Sequence, residues 1–302
     1  MNSIYLSPQE LLGSDFFTVF DAYRNHMLLK NYSPSTISAY LSNFKRYSDW
    51  CLKEEIDFIY DQVHVKAYLI YRVKQGARWQ TMNNIYSAMR KLFREVLEVE
   101  WSYKKMRRPK KERILPELIS KEEVKRMIQA CGMLKHKVIL ATLYATGMRS
   151  SELCNLRLQD IDSDRKQIKI VKGKGAKDRY IDIPDELIDL LRHYYRHYRP
   201  VTYLFNGRKM GIKMSVSSLR WPIREAKRKM GLIKRVSPHT MRHCYATHHL
   251  ESGTDLVYLQ KNLGHKHLKT TARYIHLCKE RNLTIHHPIA DMMEDLFPRI
   301  MG

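Results

Sequence analysis

Reactive side chains concentrate in four short segments in the second half of the chain. The segments are ATGMRSSELCNL around Arg149, VKGKGAKDRYIDIP around Lys174, SPHTMRHCYATHHLESG from Ser237, and LGHKHLKTTARYIH ending at His276. Arginine supplies a permanent planar fork of N–H donors, and histidine and lysine supply donors that can also exchange protons. This mixture of side chains predicts chemistry on a phosphate group.

The third segment places a histidine and an arginine three residues apart. Pro238 stands where a helix would begin, so His239 and Arg242 project from the same helix face. Such a pair can bond two oxygens of one phosphate. Two alternatives stay open: Arg242 could pair with a carboxylate while His239 caps the helix, or His239 and His243 could bind zinc. The zinc interpretation is disfavoured because Thr240 stands where the metalloprotease motif needs glutamate.

The fourth segment contains a candidate nucleophile. Gly264 indicates a turn that presents His265, and Tyr274 follows nine residues later. The chain has 19 tyrosines, and most tyrosines pack or lie at the surface. A phenol has a pKa of about 10, so near neutral pH it needs cationic groups and a base to act as a nucleophile. Arg149, Arg242, Lys174 and the histidines are the candidates for that help.

The elements that must position these residues are mostly helical. Residues 15–98 predict four helices and no strand, with Ser33 as an N-cap and Pro34 in the first turn. In the second half, Ser120 and Glu123 form a predicted capping box, and a later helix ends at Gly147. Alternating apolar residues at 167–171 and 179–183 predict a β-hairpin. The fold class is mainly α, with a helical N-terminal domain and an α+β C-terminal domain carrying a small antiparallel sheet.

The charge of the chain predicts a polyanionic partner. Lys and Arg number 54 against 31 Asp and Glu, a formal net charge of +23. Nucleic acid is the usual polyanion, although such charge can also serve solubility alone. The run KKMRRPKKER at 104–113 has a linker composition, so we place one domain at 1–108 and a second at 109–302.

The cysteine count and the N-terminus point to the cytoplasm. The five cysteines include no CxxC pair, which argues against a disulfide framework and a cysteine zinc site. No signal peptide and no membrane span are predicted.

Taken together, the four segments resemble the catalytic domain of tyrosine recombinases, the phage integrase family. The family's G-[ML]-R-x-x-E-L segment matches residues 147–153, its hairpin G-K-G turn matches 173–175, and its H-x-x-R matches His239 and Arg242. Its L-G-H matches residues 263–265, and its nucleophile falls on Tyr274. The match covers about residues 113–280, and the N-terminal half resembles the family's core-binding, SAM-like domain only in its helical character.

The resemblance implies a role for each matched residue. Arg149 and Arg242 would hold the scissile phosphate, and His265 would add a hydrogen bond to it. His239 would orient the phosphate and assist proton transfer from Tyr274. Lys174 would protonate the departing 5′ oxygen, with Lys177 as the alternative. Tyr274 would end joined to the 3′ phosphate, with no metal, cofactor or ATP. Glu152 would brace the loop of Arg149, while His243, His248, His249 and His267 receive no role and are expected at helix surfaces or in packing.

The resemblance also implies partners. We expect double-stranded DNA with short inverted-repeat core sites, a homo- or hetero-tetramer on that DNA, and a cytoplasmic, nucleoid-associated protein. The apolar stripe at Ile289, Met292, Met293, Leu296 and Phe297 would form a terminal helix that packs in its own subunit or docks into a neighbour. An Xer-like or mobile-element recombinase is favoured over a type IB topoisomerase-like enzyme and over a catalytically silent DNA-binding protein.

Overall fold

The computed structural model describes residues 6–57, 59–104, 106–110, 117–171 and 178–278. Its contacts divide the chain into an N-terminal unit, Met1–Ile114, and a C-terminal unit, Leu115–Gly302. Lys174, Lys177 and the apolar stripe at 289–297 lie outside the described residues. The boundary predicted between residues 108 and 109 stays a prediction, since contacts of the N-terminal unit continue past it.

The N-terminal unit is helical, and the four helices predicted for it are present. Side chains cap the first turns of the first two of these four helices. The Asp15 carboxylate accepts from Phe17 N and Thr18 N, and Ser33 Oγ accepts from Thr36 N at the start of the helix whose first residue is Pro34. A fifth, short helix precedes them and was not predicted. The helices are α1 (Pro8–Leu12), α2 (Phe16–Leu29), α3 (Pro34–Lys53), α4 (Gln62–Lys74) and α5 (Trp79–Glu95).

Aromatic side chains fill the core of this unit. Tyr23, Phe44 and Tyr47 are fully buried, and the Tyr23 hydroxyl donates to the Ala88 carbonyl. The basic run after α5 is partly held by the same unit. Met106 is buried in its core, and Trp79 Nε1 donates to the Pro109 carbonyl. The basic run therefore contributes a buried apolar residue, Met106, to the core of this unit, which its linker composition does not indicate.

The C-terminal unit surrounds a three-stranded antiparallel sheet with helices, as predicted, although its first strand was not expected. The sheet order is β1-β2-β3. Ile168 of β2 pairs with Ile161 and Ile181 on either side. The elements are α6 (Lys121–Gln129), α7 (Leu134–Thr146), α8 (Ser150–Asn155), β1 (Ile161–Asp162), β2 (Gln167–Ile170), β3 (Arg179–Asp182), α9 (Asp185–Tyr198), α10 (Arg220–Lys229), α11 (Pro238–Glu251), α12 (Leu256–Leu263) and α13 (Leu268–Ala272).

Helix α7 lies at the centre of the C-terminal unit. After a first turn that carries Lys135, His136 and Lys137, its side chains are mostly apolar, and Val138, Ile139 and Leu140 are consecutive, fully buried residues. Such a helix needs neighbours on all sides, and it packs against α6, α9, α10 and α11. The Ser120–Glu123 capping box that starts α6 is present, as predicted. Within the described ranges, no helix is both long and apolar enough to cross a membrane.

Candidate active site

Arg149 is presented by a sharp turn between two helices. Helix α7 ends at Gly147, whose φ of 57° is left-handed, and a Cβ at this position would lie 2.3 Å from Tyr245 Cδ1. Only glycine fits such a backbone and such a close neighbour. Met148 then enters the core, and Arg149 becomes the N-cap residue of α8. The turn thereby directs the guanidinium toward the C-terminal end of α12.

The C-terminal end of α12 holds three arginines. The carbonyls of Asn262, Leu263 and Gly264 accept, in that order, from Arg179 Nε at 2.8 Å, from an Nη of Arg242 at 2.6 Å, and from an Nη of Arg149 at 3.3 Å. The last carbonyls of a helix lack intrahelical partners and carry its negative partial charge. This helix end therefore collects three cations within one small volume.

Glu152 offsets the repulsion among these cations. It accepts two hydrogen bonds from Arg179, at 2.9 and 2.7 Å, and one from the Arg149 side chain at 2.7 Å. Burial acts to raise the pKa of this carboxyl, but the bonds from Arg179 and Arg149 lower it to about 2. Glu152 is therefore ionised and ties β3 to the turn that carries Arg149. It braces that turn as the sequence predicted, and Arg179 is the partner that sequence reasoning did not identify.

Arg242 and His265 form a second connected pair. Arg242 is buried, and its guanidinium also donates to the Gly147 carbonyl at 2.6 Å. An Nη of Arg242 lies 3.0 Å from His265 Nε2, and His265 Nδ1 lies 2.9 Å from Thr271 Oγ1. Since an arginine can only donate, His265 accepts at Nε2 and carries its proton on Nδ1. Burial and the charges of Arg242 and Arg149 lower the pKa of His265 to about 4, so the ring is neutral.

Tyr274 lies against this cluster. Only 4% of the residue is exposed, and its ring stacks on the His265 ring with centroids 6.3 Å apart. Tyr274 N donates to the Thr271 carbonyl, which fixes the segment just after α13. Burial raises the pKa of the Tyr274 phenol, and the charges of Arg242, Arg273 and Arg149 oppose that rise. The phenol is thus desolvated while cations surround it.

His243 is the histidine that contacts the Tyr274 hydroxyl, with Nδ1 and Oη 3.1 Å apart. The sequence motifs assign this residue no role. A signal was present, since His243 follows Arg242 and lies one helical turn after His239. The spacing by itself indicates no more than a possible zinc pair, because the approach of Tyr274 to this face of α11 depends on tertiary packing.

His239 lies on a basic groove that leads to the cluster. The groove has a volume of about 800 Å³ and is lined by Arg149, His239 and the side chains of Arg220, Arg224, Lys227 and Arg235. Desolvation and the charges of Arg242 and Arg149 lower the pKa of His239. The three cations of α10 recur at intervals of four and three residues, so they share one helix face.

Four of the six predicted site residues therefore meet in one cluster: Arg149, Arg242, His265 and Tyr274. His239 adjoins that cluster from the groove, while Lys174 belongs to the part of the chain that the structure does not describe. The described histidine contacts differ from the predicted roles in two respects. His243, not His239, bonds the Tyr274 hydroxyl. His265, predicted to donate to the phosphate, accepts at Nε2 from Arg242.

Comparison with known proteins places this chain among enzymes that break and rejoin DNA. The model of the phage integrase family matches residues 117–281, and that of the phage integrase N-terminal SAM-like domain matches residues 19–103. The chain is 32% identical to the tyrosine recombinase XerA of Thermococcus kodakarensis over 94% of this chain and 98% of the relative. It is similar to the crystal structure of a XerA recombinase, with 26% identity, a TM-score of 0.52, and coverage of 97% of this chain and 100% of the other.

A lambda integrase tetramer bound to a Holliday junction has the same fold. Its TM-score is 0.70 at 16% identity, over 92% of this chain and 82% of the other. Fold and relatives together define an enzyme that breaks and rejoins DNA strands. The chain belongs to the phage integrase family, in the tyrosine recombinase group that includes its Xer relatives.

Proposed function

We propose that the protein is a site-specific DNA recombinase that cuts and rejoins DNA through a 3′-phosphotyrosyl intermediate. The observation that carries this proposal is the buried Tyr274 hydroxyl, which lies among Arg242, Arg149 and His243. Arg149 also lines the basic groove, so its side chain belongs both to the cluster around Tyr274 and to the groove beside it. A phosphodiester lying in the groove would thus meet cations first and the phenol last.

The two arginines retain donors for the scissile phosphate. Arg242 uses four of its five N–H groups on Gly147, Leu263, His265 and the Tyr274 hydroxyl, which leaves one. Arg149 uses two on Glu152 and Gly264, which leaves three. These remaining donors would bond the non-bridging oxygens and stabilise the charge that builds as phosphorus gains a fifth ligand.

The other predicted residues complete the reaction. His239, on the groove side, would orient the phosphate, and Lys174 would protonate the 5′ oxygen as it leaves. His265 would donate to the phosphate only after its Nε2 gives up Arg242, since that nitrogen accepts in the free protein. Phosphate binding would therefore rearrange the Arg242–His265 pair. The phosphotyrosyl ester would retain the bond energy needed for rejoining.

DNA is the partner, and several copies of the chain act on it together. The net charge of +23 and the groove cations support the DNA partner, and the lambda integrase tetramer of the same fold supports an assembly of four. In this proposal residues 1–108 grip the duplex, residues 109–302 perform the chemistry, and the two halves of an inverted repeat each bind one protomer. The segment at 289–297 would link neighbouring protomers, and the enzyme would act in the cytoplasm, on the DNA of the nucleoid or of a mobile element.

Covalent capture tests the proposal and identifies the target sequence in the same experiment. A library of nicked duplexes with a randomised core is incubated with the protein, and adducts that survive denaturation are isolated and sequenced. We expect recovered duplexes to share an inverted repeat with the phosphate attached to Tyr274. Failure of the wild-type protein to form any adduct would overturn the enzymatic proposal.

Tyr274→Phe is the matched variant. It should bind the recovered duplex with unchanged affinity and form no adduct, because it loses only the nucleophilic oxygen. Adduct formation by Tyr274→Phe would show that another residue attacks. Relaxation of supercoiled DNA without sequence preference would instead favour a topoisomerase.

A further inference from the structure

We infer that His243 is a catalytic residue of this enzyme: as a neutral imidazole, it holds the Tyr274 hydroxyl through Nδ1 and accepts its proton when the phenol attacks. The inference rests on the proposed function. It assigns the proton acceptor to a histidine other than His239, to which the family resemblance gave that role. The 3.1 Å contact between His243 Nδ1 and Tyr274 Oη is the starting observation.

The charges around the hydroxyl fix the direction of this hydrogen bond. Arg242 and Arg273 lie close enough to act on the phenol oxygen, and each attracts its lone pairs. The hydroxyl proton must therefore point away from the guanidinium groups, and His243 Nδ1 is the acceptor in contact with it. This orientation leaves an oxygen lone pair facing the arginines, which is where the phosphate would bind.

His243 is kept neutral in the free protein. Burial, His239, Arg242 and Arg273 all lower its pKa, to about 4. Because burial also raises the pKa of the phenol, the proton stays on Tyr274 until phosphate enters. A phosphate anion between the arginines would offset their charge and would thereby favour protonation of the His243 ring. His243 would therefore become a stronger base when DNA binds.

The proton balance of the cycle closes on His243. As Oη bonds to phosphorus and the bond to the 5′ oxygen breaks, the hydroxyl proton passes to Nδ1 and the leaving oxygen is protonated by Lys174. In rejoining, the 5′ hydroxyl attacks the phosphotyrosyl ester and returns its proton to the neutral Lys174 amine, while the imidazolium returns its proton to the departing Tyr274 oxygen. His243 and Tyr274 thus end each cycle as they began.

The chain contains a matched control on the same helix. His248 Nδ1 lies 2.8 Å from the Tyr144 hydroxyl, its pKa is also lowered by burial, and Tyr144 receives no role in the proposed reaction. His243→Leu and His248→Leu each remove a partly buried histidine–tyrosine bond. A loss that followed only from weakened packing would appear in both variants.

Single-turnover adduct formation on the duplex recovered by covalent capture measures the attack. We expect His243→Leu to slow it by about 100-fold or more and His248→Leu to leave it within about threefold. His243→Asn, which places an acceptor near the former Nδ1 but cannot take a proton, should recover only part of the rate. Equal rates for His243→Leu and His248→Leu would overturn the inference while leaving the proposed function intact.

A second assay distinguishes proton transfer between His243 and Tyr274 from a structural role of His243 in positioning the arginines. A DNA strand ending in 3′-p-nitrophenyl phosphate can be joined to a 5′ hydroxyl without Tyr274, because nitrophenolate leaves unaided. Tyr274→Phe and the double variant with His243→Leu should join this strand at the same rate. A large drop in the double variant would show that His243 merely supports the arginines, and the inference would fail.

Discussion

At the scale of single residues, Gly147 decides where Arg149 lies. Its carbonyl accepts from Arg242, its φ is left-handed, and the Tyr245 ring fills the space where a Cβ would be. These three constraints fix the backbone where the core helix α7 ends and the turn that carries Arg149 begins. A substitution there should disturb both stability and catalysis.

We expect Gly147→Ala to lower the free energy of unfolding by about 3 kcal/mol or more, the sum of a left-handed backbone cost and a clash with Tyr245. Gly231→Ala is the control, because Gly231 has a φ of 63° but nothing within 4 Å of the position that a Cβ would occupy. It should cost about 1 kcal/mol, for the backbone alone. Urea unfolding of both variants tests the difference, and equal losses would contradict the clash.

The sequence patterns identify most of the predicted site residues, but they do not identify which residues these side chains contact. Arg149, Arg242, His265 and Tyr274 stand in motifs whose spacing is visible along the chain, and the structure brings them together. His243 and Arg179 act through partners that are 31 and 27 residues away along the chain. Their contacts depend on how α11 and β3 pack, and no local spacing contains that information.

At the scale of elements, the end of α12 and the Glu152 carboxylate act as one anchor for the arginines. Three carbonyls supply partial negative charge and Glu152 supplies a full one. The same glutamate closes the capping box of α8 by accepting from Arg149 N. Loss of its charge should therefore weaken the loop even though the helix cap could be kept by an amide.

The Glu152 anchor predicts a pH dependence of stability. Because the folded-state pKa is about 2 against an ordinary 4.5, the stabilisation is present above pH 4.5 and is lost as the pH falls toward 2. The shift corresponds to about 3 kcal/mol. The difference in unfolding free energy between wild type and Glu152→Gln should shrink by that amount from pH 6 to pH 2.

Glu123→Gln is the control for this pH series. Glu123 also closes a capping box, at α6, but its outer partner is the single, more exposed Lys234. Its difference from wild type should change by less than about 1 kcal/mol. Parallel changes for Glu152→Gln and Glu123→Gln would show that the arginine cluster adds nothing to the cap.

The arginines of helix α10 that have no described ion-pair partner indicate where the groove binds phosphate. Arg220 and Arg224 line the groove and form no ion pair with any described residue, whereas Arg228 on the same helix is paired with Glu225. Arg224→Ala should therefore weaken DNA binding and reduce the slope of log affinity against log salt by about 1. Arg228→Ala should leave that slope within error. Binding titrations across a range of salt concentrations measure both, and a shared effect would point to net charge alone.

At the scale of the whole molecule, chemistry by one protomer and recombination by an assembly should respond differently to inactive subunits. In an equal mixture of wild type and Tyr274→Phe, adducts on a nicked single site require one active protomer, so their yield should fall to about one half. Recombination between two sites requires every protomer of a tetramer to cut, so its yield should fall to about one sixteenth. If each protomer acted independently, both yields would fall to about one half. The ratio of the two losses, measured in one series of mixtures, thus counts the subunits that must act together, and a ratio near one would exclude the tetrameric recombinase.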